Sequence, residues 1–154
     1  MIQRIQTVYL LIAEMLIGVL FFVPFAEIAG KEGSIYRFDM KGIYLEGVPK
    51  PEIIYSSLPV VILWAVSLIL ILATIFLFKN RILQMRISTI NIFIQLGLCG
   101  LIFYYVWSTA KILLGVYSLR IYLIFPVIAA ILIYMAIRAI NKDELLVRSI
   151  DRIR

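Results

Sequence analysis

Four long apolar segments constrain this sequence more than any other feature. They cover residues 5–25, 58–78, 87–110 and 119–140. An α-helix rises 1.5 Å per residue, so about 20 residues cross the ~30 Å hydrocarbon core of a bilayer. Lipid offers no partners for backbone N–H and C=O groups, so a spanning segment must satisfy them within a helix. The sequence therefore predicts four transmembrane helices, with short connections that make neighbouring helices antiparallel.

The composition excludes most other classes of protein. Hydrophobic residues make up 64% of the 154 residues and charged residues 16%, whereas soluble chains are about 45–50% apolar and about a quarter charged. The chain has no histidine and one cysteine, Cys99. Histidine-based metal sites, Cys–His nucleophile pairs and internal disulfides are thereby excluded. We expect no metal, no cofactor and no enzymatic activity.

The polar stretch 27–57 contains a β-hairpin pattern. Apolar side chains alternate with polar ones at Tyr36, Phe38 and Met40, and residues 43–46 provide a returning strand. Residues 39–42 between them suit a turn that ends in glycine. A two-stranded ribbon needs its apolar side covered, either by the rim of the helix bundle or by a partner. Tyr36, Phe38 and Met40 are therefore candidates for a partner surface.

The C-terminal stretch 141–154 has the pattern of a short amphipathic helix. Asn141 and Glu144 resemble a capping box at its start. Such a helix would lie at the cytoplasmic membrane interface. The alternative is a solvated extension of the fourth segment. The apolar positions, which form a second candidate partner surface, are Leu146, Ile150 and Ile153.

Lysine and arginine are unevenly distributed between the two predicted sides of the membrane. Because these residues are enriched in cytoplasmic loops, the sequence predicts that both termini are cytoplasmic and that the 27–57 loop is outside. One side holds nine of them: Arg4, Lys79, Arg81, Arg86, Arg138, Lys142, Arg148, Arg152 and Arg154. The other side holds six: Lys31, Arg37, Lys41, Lys50, Lys111 and Arg120.

Glu14 is the one ionisable side chain deep within a predicted segment. A charged carboxylate at this depth is costly, so protonation or a polar partner is expected. By depth the best partner is Gln95, with Asn91 one helical turn away. Glu14, Asn91 and Gln95 thus form a candidate intramembrane polar cluster. Its carboxyl group could carry protons, or it could be a neutral acid that fixes helix register through Gln95.

Both ends of the chain resemble a known family. The opening MIQRIQTVYLL and the ending KDELLVRS followed by DRIR look like those of small four-helix bacterial membrane proteins of unassigned function. The resemblance implies this architecture and a bacterial inner membrane, and it implies no catalytic residues. Ala13-Glu14 is also similar to the first helix of small multidrug-resistance transporters. Those proteins differ from this chain in having short loops and no basic tail.

Together these observations predict an all-α membrane protein with a single domain over residues 1–154. We expect four transmembrane helices in an antiparallel bundle, a small β-hairpin in the first loop and a short C-terminal helix. The predicted function is a non-enzymatic interaction or accessory subunit. The alternative is a small proton-coupled transporter that uses Glu14. The expected partners are the lipid bilayer and a membrane protein or a second copy of the chain, and no nucleic acid.

Overall fold

The helices account for most of the chain. A computed structural model describes residues 5–30, 33–47, 53–78 and 80–151, with side chains up to residue 145. A short 3-10 helix, Ile121–Ile124, leads directly into the last of the four helices. The α-helices are α1 (Ile5–Val19), α2 (Leu58–Phe76), α3 (Arg81–Ile112) and α4 (Phe125–Asp151).

A five-stranded antiparallel sheet lies at one end of the helices. Its strand order is β4-β3-β2-β1-β5. In register, Ala26 of β1 faces Phe38 of β2 on one side and Leu119 of β5 on the other. The first four strands come from the connection between α1 and α2, whereas β5 comes from the connection between α3 and α4. The strands are β1 (Ala26–Ala29), β2 (Ile35–Asp39), β3 (Gly42–Leu45), β4 (Ile53–Ser56) and β5 (Val116–Leu119).

The prediction of an all-α protein with an isolated hairpin is therefore wrong. The hairpin exists as β2 and β3, with its turn at Met40 and Lys41, but it is the middle of a larger sheet. The added strands have four residues each. Segments this short carry little periodicity, and β1 and β5 are stabilised by pairing with residues about 90 positions away. That pairing is a tertiary effect, which a local pattern does not contain.

The prediction of a transmembrane four-helix bundle is also wrong. Three helical segments of the described chain are long and apolar enough to cross a membrane. Helix α1 has 15 residues, which at 1.5 Å per residue gives about 22 Å. After Val19 the chain continues in tight turns, with N–H groups bonded to the carbonyl three residues back, and Pro24 follows. The three long segments are Leu58–Phe76, Arg81–Ile112 and Ile121–Leu145.

The separate C-terminal amphipathic helix is a further correction. Helix α4 continues without a break to Asp151. The backbone of these residues therefore follows the alternative prediction, in which the C-terminal stretch extends the fourth segment. Arg81 at the start of α3 holds this extension through Asp143 and Glu144, each at 3.3 Å. Leu146 and Ile150 lie in α4 with undescribed side chains, and Ile153 is outside the described residues.

The helices pack antiparallel, with α1 and α3 each in contact with both α2 and α4. We call the end that carries β1–β5 the sheet end and the opposite end the base. The sheet is joined to the helices by aromatic packing. The ring of Phe38 lies 5.2 Å from that of Phe25 and 6.0 Å from that of Tyr105 on α3. Buried aromatic pairs of this kind stabilise beyond their area alone, so the sheet and the helices share one core.

Candidate functional site

The buried side of α3 is apolar in one half of the helix and polar in the other half. Towards the sheet end it is apolar, with Leu98, Ile102 and Val106 fully buried. Towards the base, four polar side chains follow one another at spacings of four, three and four residues, which places them on one side of the helix. We call these four residues the polar face of α3. They are Gln84, Ser88, Asn91 and Gln95, each at most 1% exposed.

The amide groups of the polar face donate to α2. Gln84 Nε2 donates to the backbone oxygen of Thr74 at 3.0 Å, and Asn91 Nδ2 donates to the backbone oxygen of Ser67 at 3.3 Å. A backbone carbonyl can only accept, so these two contacts determine which end of each amide faces α2. Gln95 Nε2 donates to Ser67 Oγ at 2.5 Å.

The acceptor oxygens of the same side chains have no hydrogen-bond partner among the described residues. In native proteins the great majority of buried polar atoms are paired with protein or with water. We therefore expect these oxygen atoms to be paired with water or with another group. The unpaired atoms are Gln84 Oε1, Ser88 Oγ, Asn91 Oδ1 and Gln95 Oε1, together with Glu14 Oε2 on α1.

Glu14 lies at the depth of Ser67, although the structure shows no hydrogen bond from it to Gln95. The indole of Trp64 donates to the backbone oxygen of Ile17 at 2.8 Å, which sets the register of α1 against α2. The two helices are antiparallel, so Glu14 and Ser67, each three residues closer to the base, lie at about the same level. Asn91 and Gln95 meet at Ser67, whose level Glu14 shares.

Two members of the polar face, Gln84 and Ser88, were not among the predicted site residues. Their signal was in the sequence. Polar residues at 84, 88, 91 and 95 repeat with the helical period. The basic residues Arg81 and Arg86 flank Gln84 outside the apolar segment 87–110 and are typical of a connection between helices, which hides the start of the repeat. In the structure α3 begins at Arg81.

The predicted partner surface of the hairpin is covered by the chain itself. Phe38 is fully buried, Met40 is 5% exposed and Tyr36 is half-buried. These apolar side chains lie at the ends of the helices, where Phe38 packs against Phe25 and Tyr105. Of the two covers that the sequence left open, the structure shows the one within the chain, at the ends of the helices. Phe38 and Met40 are therefore buried within the chain itself.

The exposed apolar residues of the sheet lie on its two edge strands instead. All four residues of β4 and all four of β5 are exposed. In β4, Ile53 is 57% and Ile54 is 45% exposed, and in β5 Val116 is 78% exposed. Neither strand contains a charged residue. Beyond β5, Arg120 makes an ion pair with Glu27 of β1, which ties the β5 end of the sheet to its neighbour.

Comparison with known proteins gives a family and no assigned activity. A family model described as Domain of unknown function (DUF4293) matches residues 2–153 of the chain. The search of curated proteins found no match to the chain.

Proposed function

The chain belongs to the DUF4293 family, a domain of unknown function, and we propose that it is a non-enzymatic interaction or accessory subunit of a membrane. The observation that carries this proposal is the pair of apolar, solvent-accessible edge strands, β4 and β5, in which all four residues of each strand are exposed. The absence of histidine and the single cysteine in the sequence support a non-enzymatic role.

The chemistry of these edges suits a partner strand better than water or lipid. An edge strand presents unpaired backbone N–H and C=O groups, which hydrocarbon cannot satisfy. Soluble edges are usually protected by lysine, proline or short length. Both β4 and β5 are short, but their exposed side chains are mostly apolar. Contact of these side chains with water is unfavourable. A polypeptide in extended conformation satisfies both requirements, since it pairs the backbone and covers the side chains.

The position of the edges indicates the kind of partner. Strand β4 ends at Ser56, two residues before α2 begins, and β5 ends at Leu119, two residues before the 3-10 helix begins. Both edges therefore lie next to the ends of apolar helices. We propose as the occupant a strand of another membrane protein that lies close to its own membrane segment.

We place the protein in a bacterial inner membrane with both termini cytoplasmic and the sheet end outside. Three long apolar helical segments support membrane insertion. The excess of nine lysines and arginines on one side over six on the other supports the orientation. Reporter fusions at Arg154 and at Gly47 should give opposite sides, and an external signal from the fusion at Arg154 would contradict the orientation.

The test compares two lysine substitutions in native membranes. Ile54→Lys places a charge on the edge strand β4, and Ile35→Lys places one on β2, which is paired on both sides. The two isoleucines are 45% and 48% exposed, so they are matched. We expect Ile54→Lys to reduce the size of the native complex to that of the free protein and Ile35→Lys to leave it unchanged. An equal complex size in both variants and the wild type would contradict the proposal.

Proton-coupled transport is the second candidate, and the unpaired Glu14 Oε2 favours it. A carrier carboxyl must release and rebind its proton. Glu14→Gln keeps the size and polarity of the side chain but cannot titrate. If the protein transports, vesicles with the wild type should show uptake driven by a proton gradient, and Glu14→Gln should abolish it while the fold is retained. Equal behaviour of the wild type and Glu14→Gln would eliminate this candidate.

A further inference from the structure

A cleft lies at the sheet end of α3, where the helix meets β5. Its volume is about 440 Å³, and its walls combine aromatic rings with one cation. The Nζ atom of Lys111 lies over the face of the Trp107 ring, 3.7 Å from its centroid. This cation–π contact holds the ammonium group at the cleft. The lining residues are Trp107, Ala110, Lys111, Leu114, Gly115 and Tyr117.

Lys111 makes no ion pair within the part of the chain that the structure describes. The glutamates nearest to it in the fold are engaged elsewhere. Glu27 pairs with Arg120, and Glu46 pairs with Arg37. None of the residues that line the cleft is acidic. The cleft therefore presents a positive charge without a counter-charge, which favours a ligand group with a net negative charge.

An exposed stripe of α3 runs from this cleft towards the base. Leu96, Phe103 and Trp107 in it are each 42–50% exposed. At Gly100 no atom lies within 4 Å of the position that a Cβ would occupy, which leaves a groove between the larger side chains. From Leu96 to Lys111 the helix rises about 22 Å, which is close to half of a bilayer of ~40–45 Å with its headgroups. Helical spacing places on one side Leu96, Gly100, Phe103, Trp107 and Lys111.

We propose that the cleft and the stripe bind an anionic phospholipid, with its phosphate at Lys111 and one acyl chain along the groove over Gly100. Tryptophan and tyrosine are typical of the depth of lipid headgroups, and Trp107 and Tyr117 both line the cleft. A zwitterionic lipid would bring a second cation beside Lys111, where no lining residue balances it. An acidic strand of a partner protein would satisfy Lys111 but would leave the apolar stripe uncovered. Because the site needs no protein partner, it is independent of the proposed interaction function.

The test measures the melting temperature of the full chain in detergent with phosphatidylglycerol, with phosphatidylcholine of the same acyl chains, or with inorganic phosphate. A ligand that binds the folded state stabilises it by mass action. At about ten times the dissociation constant, we expect phosphatidylglycerol to raise the melting temperature by roughly 3–6 °C over phosphatidylcholine. Inorganic phosphate should have no effect. Equal melting temperatures in the two lipids, or the same rise with inorganic phosphate alone, would overturn the proposal.

Three variants distinguish the site from a general effect of lipid charge. Lys111→Gln removes the cation, and the advantage of phosphatidylglycerol should disappear, whereas Lys111→Arg should retain it. Lys41→Gln is the matched control, because it removes the same charge from an exposed position in the hairpin turn, also at the sheet end. An equal advantage of phosphatidylglycerol in Lys111→Gln and the wild type would overturn the proposal.

Tryptophan fluorescence gives a readout that does not depend on stability. The chain has two tryptophans, so Trp64→Phe leaves the emission of Trp107 alone. Bromine atoms on an acyl chain quench a tryptophan that they contact. Brominated phosphatidylglycerol should therefore quench Trp107 more than brominated phosphatidylcholine does at the same mole fraction. Equal quenching by the two lipids would overturn the site.

Discussion

The indole nitrogen of Trp64 on α2 donates a hydrogen bond of 2.8 Å to the backbone carbonyl oxygen of Ile17 on α1. This carbonyl lies in the last turn of α1, where the regular helix ends at Val19. The same carbonyl oxygen also accepts from the backbone N–H of Leu20 at 3.2 Å, and its two lone pairs accommodate both donors. The bond from Trp64 also sets the depth of Glu14 on α1 relative to Ser67 on α2.

Replacing Trp64 should therefore weaken the attachment of α1. Trp64→Phe keeps an aromatic ring beside Phe21, which stacks on Trp64 at 5.4 Å, but it removes the donor. We expect the free energy of unfolding to fall by about 0.5–1.5 kcal/mol, the usual contribution of one hydrogen bond. Denaturation in detergent measures it. Trp107→Phe is the control, since Trp107 is 42% exposed, and an equal loss in both variants would argue against the bond.

Gly115 is required for the approach of β5 to β1. A Cβ atom at this position would lie 2.3 Å from the backbone oxygen of Ala29, and a backbone atom cannot move without breaking strand pairing. Gly115→Ala should increase hydrogen exchange at the amides of residues 116–119. Gly18 in α1 has no atom within 4 Å of the corresponding position, so Gly18→Ala should leave exchange unchanged. Slow exchange of β5 in Gly115→Ala would contradict the pairing.

Phe38 should be the most sensitive position of the sheet. It is fully buried and packs against Phe25 and Tyr105. Loss of a buried phenylalanine side chain costs about 3–5 kcal/mol, and Phe38→Asp adds the burial of a charge. We expect the sheet to become unprotected in hydrogen exchange. Arg37→Ala removes only a half-exposed ion pair with Glu46 at 3.4 Å and should change stability by less than about 1 kcal/mol.

Ionisation of Tyr44 should lower the stability of the sheet at alkaline pH. Burial raises the pKa of the Tyr44 phenol, and its hydrogen bond to Asp39 Oδ2, 2.8 Å long, raises it further. A pKa that is higher in the folded state stabilises the protein below the unfolded value, about 10, and this contribution is lost as pH rises through the folded value. The melting-temperature advantage of the wild type over Tyr44→Phe should shrink above pH about 10. A constant difference would contradict it.

The parts of the fold with a strong local pattern could be predicted from the sequence. The long apolar segments became α2, α3 and α4, and alternation over residues 36–45 predicted the paired strands β2 and β3. Asn91 and Gln95 are polar residues within a predicted apolar segment, and both are buried in the structure. In each case the spacing of apolar and polar residues indicates which face of the helix or strand is buried. That spacing can be recognised within one continuous stretch of the sequence.

What depends on distant residues could not be predicted. Strand β5 exists because Gly115 lets the chain lie against Ala29, and β1 exists because it is paired on both sides. The apolar run of the first segment continues to Phe25, yet the helix ends at Val19 because the following residues turn towards the sheet. Gln95, the expected partner of Glu14, donates to Ser67 on α2, and this choice depends on how α2 and α3 pack.

The most direct test of the interaction function is photocrosslinking in native membranes from Ile54 of β4, with Ile35 of β2 as the matched position. A photoreactive residue at position 54 should form a discrete product with one other membrane protein. In a separate variant, Ile54→Lys should abolish the native complex. A residue at 35 should form no such product. Products of a second copy of this chain, of lipid alone, or of equal yield at both positions would contradict an accessory subunit that binds through its sheet edge.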